Sequence, residues 1–295
     1  MHVLLTGGTG FIGSALTPAL EEAGHGVTIL TRQQKPAPVG RAKFVRSVRD
    51  VNQPIDAVIN LAGASLAGKR WSARYKQEIF HSRVAFTDTL GEDLRRARQS
   101  PTIWLNGSAI GYYGASETTE FSESAGAGQG FAADLCVAWE AAGAAAAGEA
   151  RFCALRIGVV LDGDGGAYEQ MAQPFRFGLA NWVGHGRQWL SWIHRADIVA
   201  AILCLLSSDN FEGPFNLTAP NPATSRDFCA EMRKVHRTFL AVPMPASVMK
   251  AIVGEMAEEL LLQGQRVVPE MLTSAGFDFT YPALEDVLIA IERGR

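Results

Sequence analysis

Three glycines near the start of the chain have the spacing of a phosphate-binding loop. Gly7, Gly10 and Gly13 follow a short apolar run and precede a helical pattern. In such a loop the glycines permit a tight turn, let backbone N–H groups approach a pyrophosphate, and allow the helix to pack closely on the strand. The helix start then offers free N–H donors to the phosphates. The alternative is a glycine-rich turn without a ligand. The dinucleotide prediction covers Gly7, Thr9, Gly10, Phe11, Ile12 and Gly13.

The segment after the second predicted strand bears on the choice of cofactor. In this fold an acidic residue about 20 positions beyond the loop would hold the ribose 2′-hydroxyl of NAD. Here that place is taken by Arg32, which directly follows Thr31. A guanidinium can pair with a 2′-phosphate, whereas a carboxylate would repel it. The pattern therefore predicts NADP rather than NAD, the alternative for Arg32 being a solvated loop side chain.

The elements that must position these residues alternate along the first half of the chain. Nearly continuous apolar runs are typical of strands covered on both faces, and their alternation with helices predicts a doubly wound parallel α/β sheet of the Rossmann type. The predicted strands are residues 3–5, 27–30, 57–61, 103–105 and 152–161, and the predicted helices are residues 12–23, 73–97 and 132–147.

After a turn-dense segment at residues 162–166 the pattern changes to isolated helices and short extended pieces. We therefore predict a dinucleotide-binding domain at residues 1–165 and a smaller α+β substrate-side domain at residues 166–295, some of whose segments return to the first core. In the tail we interpret three glutamates as a solvated helix face: Glu255, Glu258 and Glu259.

Composition excludes several classes of function. A hydrophobic fraction of 47% with 19% charged residues supports a large core rather than disorder. The 27 basic and 30 acidic residues give no basic excess, so we expect no nucleic-acid partner.

No apolar run is long enough to span a membrane, and no targeting segment is recognised. The four cysteines form no C-x-x-C pair, and no His, Asp or Glu cluster has ligand spacing. We predict a cytoplasmic protein without a metal.

Several motifs together resemble the extended short-chain dehydrogenase/reductase superfamily. They are the glycine loop, the sequence NLAG at residues 60–63 and WIHRAD at residues 192–197. The segments GHGRQWLSWIHRAD at 184–197, FNLTAP at 215–220 and LLQGQRVVP at 261–269 are similar to one atypical branch, the epimerase family proteins. Members of that branch resemble nucleoside-diphosphate-sugar epimerases and carry a small C-terminal domain of unknown function. The resemblance covers essentially the whole chain.

The resemblance implies further cofactor contacts. Thr31 and Arg32 would hold the adenosine 2′-phosphate. The loop Leu61, Ala62 and Gly63 would line the cofactor at the end of the fourth strand, and a crossing helix would bring two more residues near it, Glu78 and Arg83. The alternative for that last pair is an exposed ion pair on a helix surface.

The usual catalytic pair of the superfamily is missing. That pair is a Tyr and a Lys in the spacing Y-x-x-x-K on one helix, where they share a face and move a proton while hydride is transferred. In extended members a Glu often follows the Lys by four residues, and Glu140 fits that place. Counting back, the Lys position is Cys136 and the Tyr position is Ala132. Neither side chain can replace the group it stands for.

Other residues could act on a substrate. The upstream Ser of the superfamily is present as Ser108, which otherwise serves as a cap, and either Tyr112 or Tyr113 could supply a proton or only pack against the pocket. Arg156 could face a phosphate or pair with a carboxylate. The remaining candidates are His185, Arg187 and Trp192. Their cation and aromatic rings would suit an anionic ring of a substrate. The alternative is that the loop that contains them only packs over the core.

Three functions remain open at this point. The first is an NADP-dependent oxidoreductase acting on a small carbonyl or hydroxyl compound, which Arg32 favours. The second is a nucleotide-sugar epimerase or dehydratase. The third is an NADP(H) sensor without turnover, which the missing Tyr and Lys motivate. A homodimer through the helices at residues 73–97 and 132–147 is also a prediction.

Overall fold

The computed structural model describes residues 1–34, 37 and 39–294. Its strands are β1 (His2–Thr6), β2 (Gly26–Leu30), β3 (Lys43–Val45), β4 (Ala57–Asn60), β5 (Ile103–Ala109), β6 (Glu120–Phe121), β7 (Arg151–Ile157), β8 (Val159–Asp162), β9 (Leu179–Val183), β10 (Trp189–Leu190), β11 (Trp192–His194), β12 (Gly213–Leu217), β13 (Ala223–Thr224), β14 (Leu240–Met244) and β15 (Arg266–Val267).

The α-helices follow the strands in the alternating order that the sequence predicts for the first half. They are α1 (Phe11–Glu22), α2 (Ala73–His81), α3 (Val84–Arg96), α4 (Phe131–Ala147), α5 (Gly166–Arg176), α6 (Arg195–Ser207), α7 (Ser225–Val235), α8 (Ala246–Val253), α9 (Glu270–Ser274) and α10 (Leu284–Arg293).

Seven parallel strands form the central sheet in the order β12-β7-β5-β4-β1-β2-β3. Successive side chains of a strand point to opposite faces, and both faces are covered here. On β1, Leu5 packs toward α1 and α6, whereas Leu4 packs on the other face toward α3 and Trp104. All three of these side chains are completely buried. The prediction of a doubly wound parallel sheet is confirmed.

The predicted helix at residues 73–97 is wrong as a single element. It is broken between α2 and α3, where Ser82 and Arg83 leave the helical path. The Ser82 hydroxyl donates to the Ile79 carbonyl and accepts from the Ala64 N–H, so it ends α2 and ties the break to the loop after β4. Neither Gly nor Pro marks this position, which is why the pattern gives no warning of it.

The predicted strand at residues 152–161 is also divided, at Gly158. Its first part, β7, belongs to the central sheet, whereas β8 pairs with β11 in a separate two-stranded sheet. A Cβ at Gly158 would lie 2.7 Å from the Ser191 carbonyl oxygen, so only glycine permits the chain to pass from one sheet to the other here.

Segments after residue 165 interlock with the central sheet. Strand β12 extends it beyond β7, and α6 packs against α1. Further along the chain, β15 pairs with β6. A second core, centred on Tyr168, Phe175 and Phe228, fills the space between α5, α7 and α10. Within the described residues, no helix combines the length and the apolar character that a membrane span requires.

Candidate functional site

The glycine loop lies between β1 and α1 and has a backbone that side chains would disturb. Gly7 has φ +72°, and a Cβ there would lie 2.6 Å from the Leu61 carbonyl oxygen. The N–H of Gly10 donates to the Gly7 carbonyl at 2.9 Å, and a Cβ on Gly13 would collide with that same carbonyl. The spacing of these glycines therefore follows from close packing of the strand, the turn and the helix.

The start of α1 is suited to an anion. The N–H groups of Phe11, Ile12 and Gly13 have no acceptor in the described part of the chain, and no side chain caps this end. The first turn also has no acidic residue. Free N–H donors and the helix dipole together favour a phosphate group. The loop and the start of α1 therefore supply the space and the donors that a pyrophosphate requires.

Two further segments border this loop. After β2, Thr31 continues the hydrogen bonding of the sheet through its N–H to the Val45 carbonyl, and Arg32 is exposed. After β4, the N–H of Leu61 donates to the Thr6 carbonyl, and that of Ala62 donates to the Thr6 hydroxyl, each at 3.2 Å. The predicted adenosine-side residues therefore lie at the same edge of the sheet as Gly7.

A buried polar network that the sequence motifs do not predict joins the strand ends at this edge. The Thr6 hydroxyl donates to the Asn60 side-chain oxygen at 2.7 Å, and the Asn60 amide donates to both Thr87 and Asn106 at 2.8 Å. The Trp139 indole N–H also donates to the Thr87 hydroxyl. The network links β1, β4 and β5 to α3 and α4. Its signal in the sequence is a polar residue directly after three short apolar runs, at Thr6, Asn60 and Asn106.

Glu78 and Arg83 do not pair with each other. Glu78 is exposed and forms an ion pair with Lys69 at 3.3 Å. Arg83 turns inward at the break between α2 and α3, where its guanidinium lies against Gly63 and 5.2 Å from the centre of the Trp139 ring. Their roles toward a cofactor stay predictions, but the alternative of an exposed pair between them is wrong.

The structure confirms that the Lys position of the missing motif has no cation. Cys136 on α4 is buried, and burial raises the pKa of its thiol to about 11. The side chain is therefore a neutral thiol at physiological pH. Ala132 lies one turn earlier in the same helix.

Beside Cys136, five residues form what we name the Glu140 cluster: Ser108, Tyr112, Tyr113, Glu140 and Arg156. The Ser108 hydroxyl donates to a Glu140 carboxylate oxygen at 2.6 Å. Arg156 donates to both oxygens of that carboxylate, from Nε and Nη2, at 2.9 Å each. Of the two predicted partners for Arg156, the structure selects the carboxylate. Although burial opposes it, the hydrogen bonds and charge of Glu140 raise the pKa of Arg156.

The two tyrosines of the Glu140 cluster have different surroundings. The Tyr113 hydroxyl donates to the Asn216 side-chain oxygen at 2.7 Å and accepts from Arg156 at 2.9 Å. Burial raises the pKa of Tyr113, which does not favour it as a proton donor. The ring of Tyr112 stacks on the Arg156 guanidinium at 3.5 Å, and its hydroxyl has no partner among the described residues. The Tyr112 hydroxyl is therefore better placed than the Tyr113 hydroxyl to exchange a proton with a bound molecule.

The predicted substrate residues of the second half are not brought together. Trp192 is completely buried in the second core, and its indole N–H donates to the Asn221 carbonyl, so its predicted contact with a substrate is wrong for this conformation. His185 and Arg187 are exposed, and His185 lies 3.1 Å from a Glu117 carboxylate oxygen.

Three residues of the C-terminal half have structural roles. The Asp197 carboxylate accepts the N–H groups of Thr280 and Tyr281. His194 caps α6 through Nδ1, and burial lowers its pKa. Glu259, predicted to be solvated, instead accepts the N–H groups of the first two residues of α4. No group of three or more metal-ligating side chains occurs in the region that the structure describes.

The fold and these motifs define a class, and comparison with known proteins gives its name. Residues 3–217 match the NAD dependent epimerase/dehydratase family, and residues 244–291 match a domain of unknown function, DUF1731. The chain belongs to the NAD dependent epimerase/dehydratase family, and the resemblance to epimerase family proteins is confirmed.

The relatives are similar over nearly their full length. Human epimerase family protein SDR39U1 is 34% identical over 287 residues, which cover 96% of this chain and 97% of that protein. Epimerase family protein SERP0438 of Staphylococcus epidermidis is 36% identical over 295 residues, covering 97% of each. The crystal structure of human SDR39U1 with NADPH has a TM-score of 0.87 at 34% identity and covers 100% of both chains.

Proposed function

We propose that this protein binds NADPH at the carboxyl edge of the central sheet and exchanges a hydride between the nicotinamide and a small carbonyl or hydroxyl compound. The observation that carries the binding part is the glycine loop, whose close packing and free N–H groups fit a pyrophosphate. The NADPH in the human SDR39U1 structure supports the same assignment. Arg32 after β2 supports a 2′-phosphate.

When bound, the nicotinamide supplies or accepts the hydride. The residues of this chain must then hold the substrate oxygen and control its proton. Ser108 is the residue of the Glu140 cluster that the superfamily uses at this place, and its hydroxyl is already directed by Glu140 at 2.6 Å. Glu140 is in turn fixed by two hydrogen bonds from Arg156. We assign Ser108 to the substrate oxygen and Tyr112 to proton transfer.

A sensor without turnover is the second candidate, and a specific observation favours it. The Tyr and Lys of the superfamily motif are replaced by Ala132 and by Cys136, whose thiol stays protonated.

A deuterium label on the reduced nicotinamide separates the oxidoreductase from the sensor. Transfer of the label to any member of a carbonyl panel supports the oxidoreductase, and a Tyr112→Phe variant that transfers it at the wild-type rate removes Tyr112 from the assignment. The epimerase alternative instead predicts tightly retained oxidised NAD in the purified protein.

The binding part is tested by calorimetric titration of nucleotide-free protein with NADPH and with NADH. We expect NADPH to bind at least about tenfold more tightly, because a 2′-phosphate gains charge-assisted hydrogen bonds from Arg32. Arg32→Asp should remove this preference. Arg293→Asp is the matched control, since that arginine is exposed in the last turn of α10. If neither nucleotide binds the wild type, the proposal is contradicted.

A further inference from the structure

Half of the large hydrophobic side chains that are exposed in the described part of the chain, five of ten, lie on one surface. We name it the Phe177 surface, and its members are Phe177, Leu179, Phe239, Leu240 and Val242. Phe239 and Phe177 are the most exposed of the ten, at 80% and 70%. A single exposed hydrophobic residue needs no explanation, but a group of them on one surface marks a place of contact.

The fold holds these side chains next to one another. Strands β9 and β14 are parallel neighbours, with Leu240 opposite Leu179. Side chains two positions apart on a strand share a face, so Val242 lies on the same face as Leu240. At the start of β14 the N–H of Phe239 donates to the Gly178 carbonyl at 3.0 Å, and a Cβ on Gly178 would collide with the Phe239 ring. The surface is therefore a built feature and not a loose loop.

Basic side chains border the Phe177 surface. Arg176 directly precedes Phe177, and Arg237 lies two residues before Phe239. Beside them is an open cavity of about 460 Å³, lined by Ala230, Arg233, Lys234, His236, Arg237 and Thr238. A cavity with this lining suits an anionic group such as a phosphate.

Three of these cations have no carboxylate partner. The Lys234 ammonium lies near Glu231 and Glu285, and the His236 ring lies 3.4 Å from Glu292. The three arginines are exposed and form no ion pair with a described residue: Arg176, Arg233 and Arg237. Their charges are therefore available to a partner that carries negative groups.

We propose that the Phe177 surface binds the surface of a membrane that contains anionic phospholipids. Exposed phenyl rings that enter the acyl region, beside arginines that meet the phosphate groups, are the combination that holds a protein at a membrane interface. Such contact does not cross the bilayer, so it requires no membrane-spanning helix. The inference goes beyond the proposed function and does not depend on it.

Two other occupants fit the surface less well. In a symmetric dimer the same surface meets itself, which would bring the unpaired arginines of one copy toward those of the other. A partner protein could instead add a strand to β14. However, Leu240 donates to the Gly178 carbonyl and Met244 accepts from the Gly184 N–H, so the backbone groups of these two residues turn toward β9. Pro243 then belongs to the open edge, where it offers no N–H, and proline weakens an edge for strand addition.

The surface is separate from the proposed NADPH site. Helix α5 begins at Gly166, where a Cβ would lie 2.6 Å from the Phe11 ring beside the glycine loop, and it ends at Arg176. The Phe177 surface therefore lies about 15 Å from that loop, at the other end of the helix. Substitutions at one place can be made without touching the other.

Sedimentation with lipid vesicles tests the proposal. The two probes are vesicles of phosphatidylcholine alone and vesicles with equal parts of phosphatidylcholine and phosphatidylserine. We expect the wild type to bind the anionic vesicles at least about tenfold more tightly, because each arginine near the surface is attracted to anionic lipid. Added salt should weaken this binding. If the wild type binds neither kind of vesicle, the proposal is refuted, and an acidic protein becomes the better candidate for the partner.

The apolar part is tested by removing the two phenyl rings. The double variant Phe177→Ser/Phe239→Ser should bind anionic vesicles at least about tenfold more weakly, because both rings lose their burial in lipid. Phe80→Ser is the matched control, since it removes an exposed ring from α2, and it should bind as the wild type does. Melting curves verify that each variant folds. Equal binding by the wild type and the double variant overturns the inference.

The charged part is tested in the same way. Arg237→Ala should weaken binding to the anionic vesicles about fivefold and leave binding to pure phosphatidylcholine unchanged. Arg49→Ala is the matched control, because Arg49 is also exposed and has no ion pair among the described residues. Sedimentation equilibrium without lipid covers the dimer. A wild-type dimer that the double phenylalanine variant converts to monomer would overturn the proposal, since the surface would then be an interface between copies of this chain.

Discussion

Arg156 and Arg83 contact neighbouring residues of α4, Glu140 and Trp139, and differ in the partners of their charges. Arg156 is neutralised by two hydrogen bonds to Glu140, whereas Arg83 stacks on Trp139, the preceding residue of α4, without a carboxylate. The charge of Arg156 is therefore neutralised by a residue of the protein. Arg83 has one side-chain hydrogen bond among the described residues, to the Ile79 carbonyl at 3.4 Å. The comparison shows that two cations packed on the same helix can differ in whether the chain supplies a carboxylate for them.

The largest expected effect follows from removing the structural cation. Arg156→Met leaves the Glu140 carboxylate without its bidentate partner, and breaking a buried ion pair in this way costs about 3–5 kcal/mol. Urea unfolding should show this loss in the free energy of unfolding. The double variant Glu140→Leu/Arg156→Met should lose less than the sum of the two single variants, because no charge is then left unpaired.

The same substitution at the other cation is the direct control. Arg83→Met removes a charge that has no partner, so we expect the free energy of unfolding without ligand to stay within about 1 kcal/mol of the wild type or to rise. A loss as large as that of Arg156→Met would mean that Arg83 supports the fold and would remove the contrast between the two regions.

A smaller change displaces the Arg83 guanidinium without removing it. A Cβ on Gly63 would lie 2.8 Å from the Arg83 Cζ, so Gly63→Ala should push the cation away and weaken NADPH binding by about tenfold, or 1.4 kcal/mol. Gly126→Ala is the matched control, since Gly126 is also exposed and has nothing within 4 Å of its added Cβ. Calorimetric titration of both variants with NADPH gives the answer. Equal affinities would separate Gly63 from the site.

His194 is a third buried basic group, and it differs from Arg156 and Arg83 in how it responds to burial. A buried histidine can lose its proton, whereas a buried guanidinium stays charged. Burial lowers the pKa of His194 in the folded protein, and its Nδ1 accepts the Ala196 N–H. The unfolded chain therefore takes up the proton first, so the contribution of His194 to stability is present above about pH 6.5 and is lost as the pH falls below it. His194→Asn keeps a capping oxygen and does not titrate. Unfolding curves at pH 7 and pH 5 should show a greater loss for the wild type than for this variant.

The smallest effect is expected for an exposed ion pair. Arg96 lies 2.7 Å from Glu92 on α3, and both side chains are more than half exposed. Such pairs contribute about 0.5 kcal/mol or less, so Arg96→Ala should change the free energy of unfolding by no more than that. A larger change would show that even an exposed ion pair contributes to stability in this protein, and would weaken the contrast with Arg156.

The sheet and the glycine loop were predictable because each has a local signal. Apolar runs alternate with helical periodicity, and the loop glycines occur together next to the first of those runs. The predicted α1 and α4 each lie within one residue of the observed helices. These features depend on neighbours in the sequence, and the periodicity records them directly.

The contacts of the site were less predictable because they join distant parts of the chain. In the sequence Glu140 is only a marker of the missing motif, although in the fold it binds Ser108 and Arg156, which come from two different strands. The break before Arg83 carries no Gly or Pro, and the turn there is fixed by contacts with the loop after β4. Tertiary contacts of this kind leave no periodic pattern in the sequence.

The capping of α4 by Glu259 has a consequence for the modularity of the chain. The helix lies in the region that matches the epimerase/dehydratase family, and its cap comes from the region that matches DUF1731. The first region alone would have an uncapped start on the helix that carries Glu140. The two parts are therefore not exchangeable modules, and a graft of a foreign C-terminal segment must reproduce this carboxylate or accept a frayed helix beside the site.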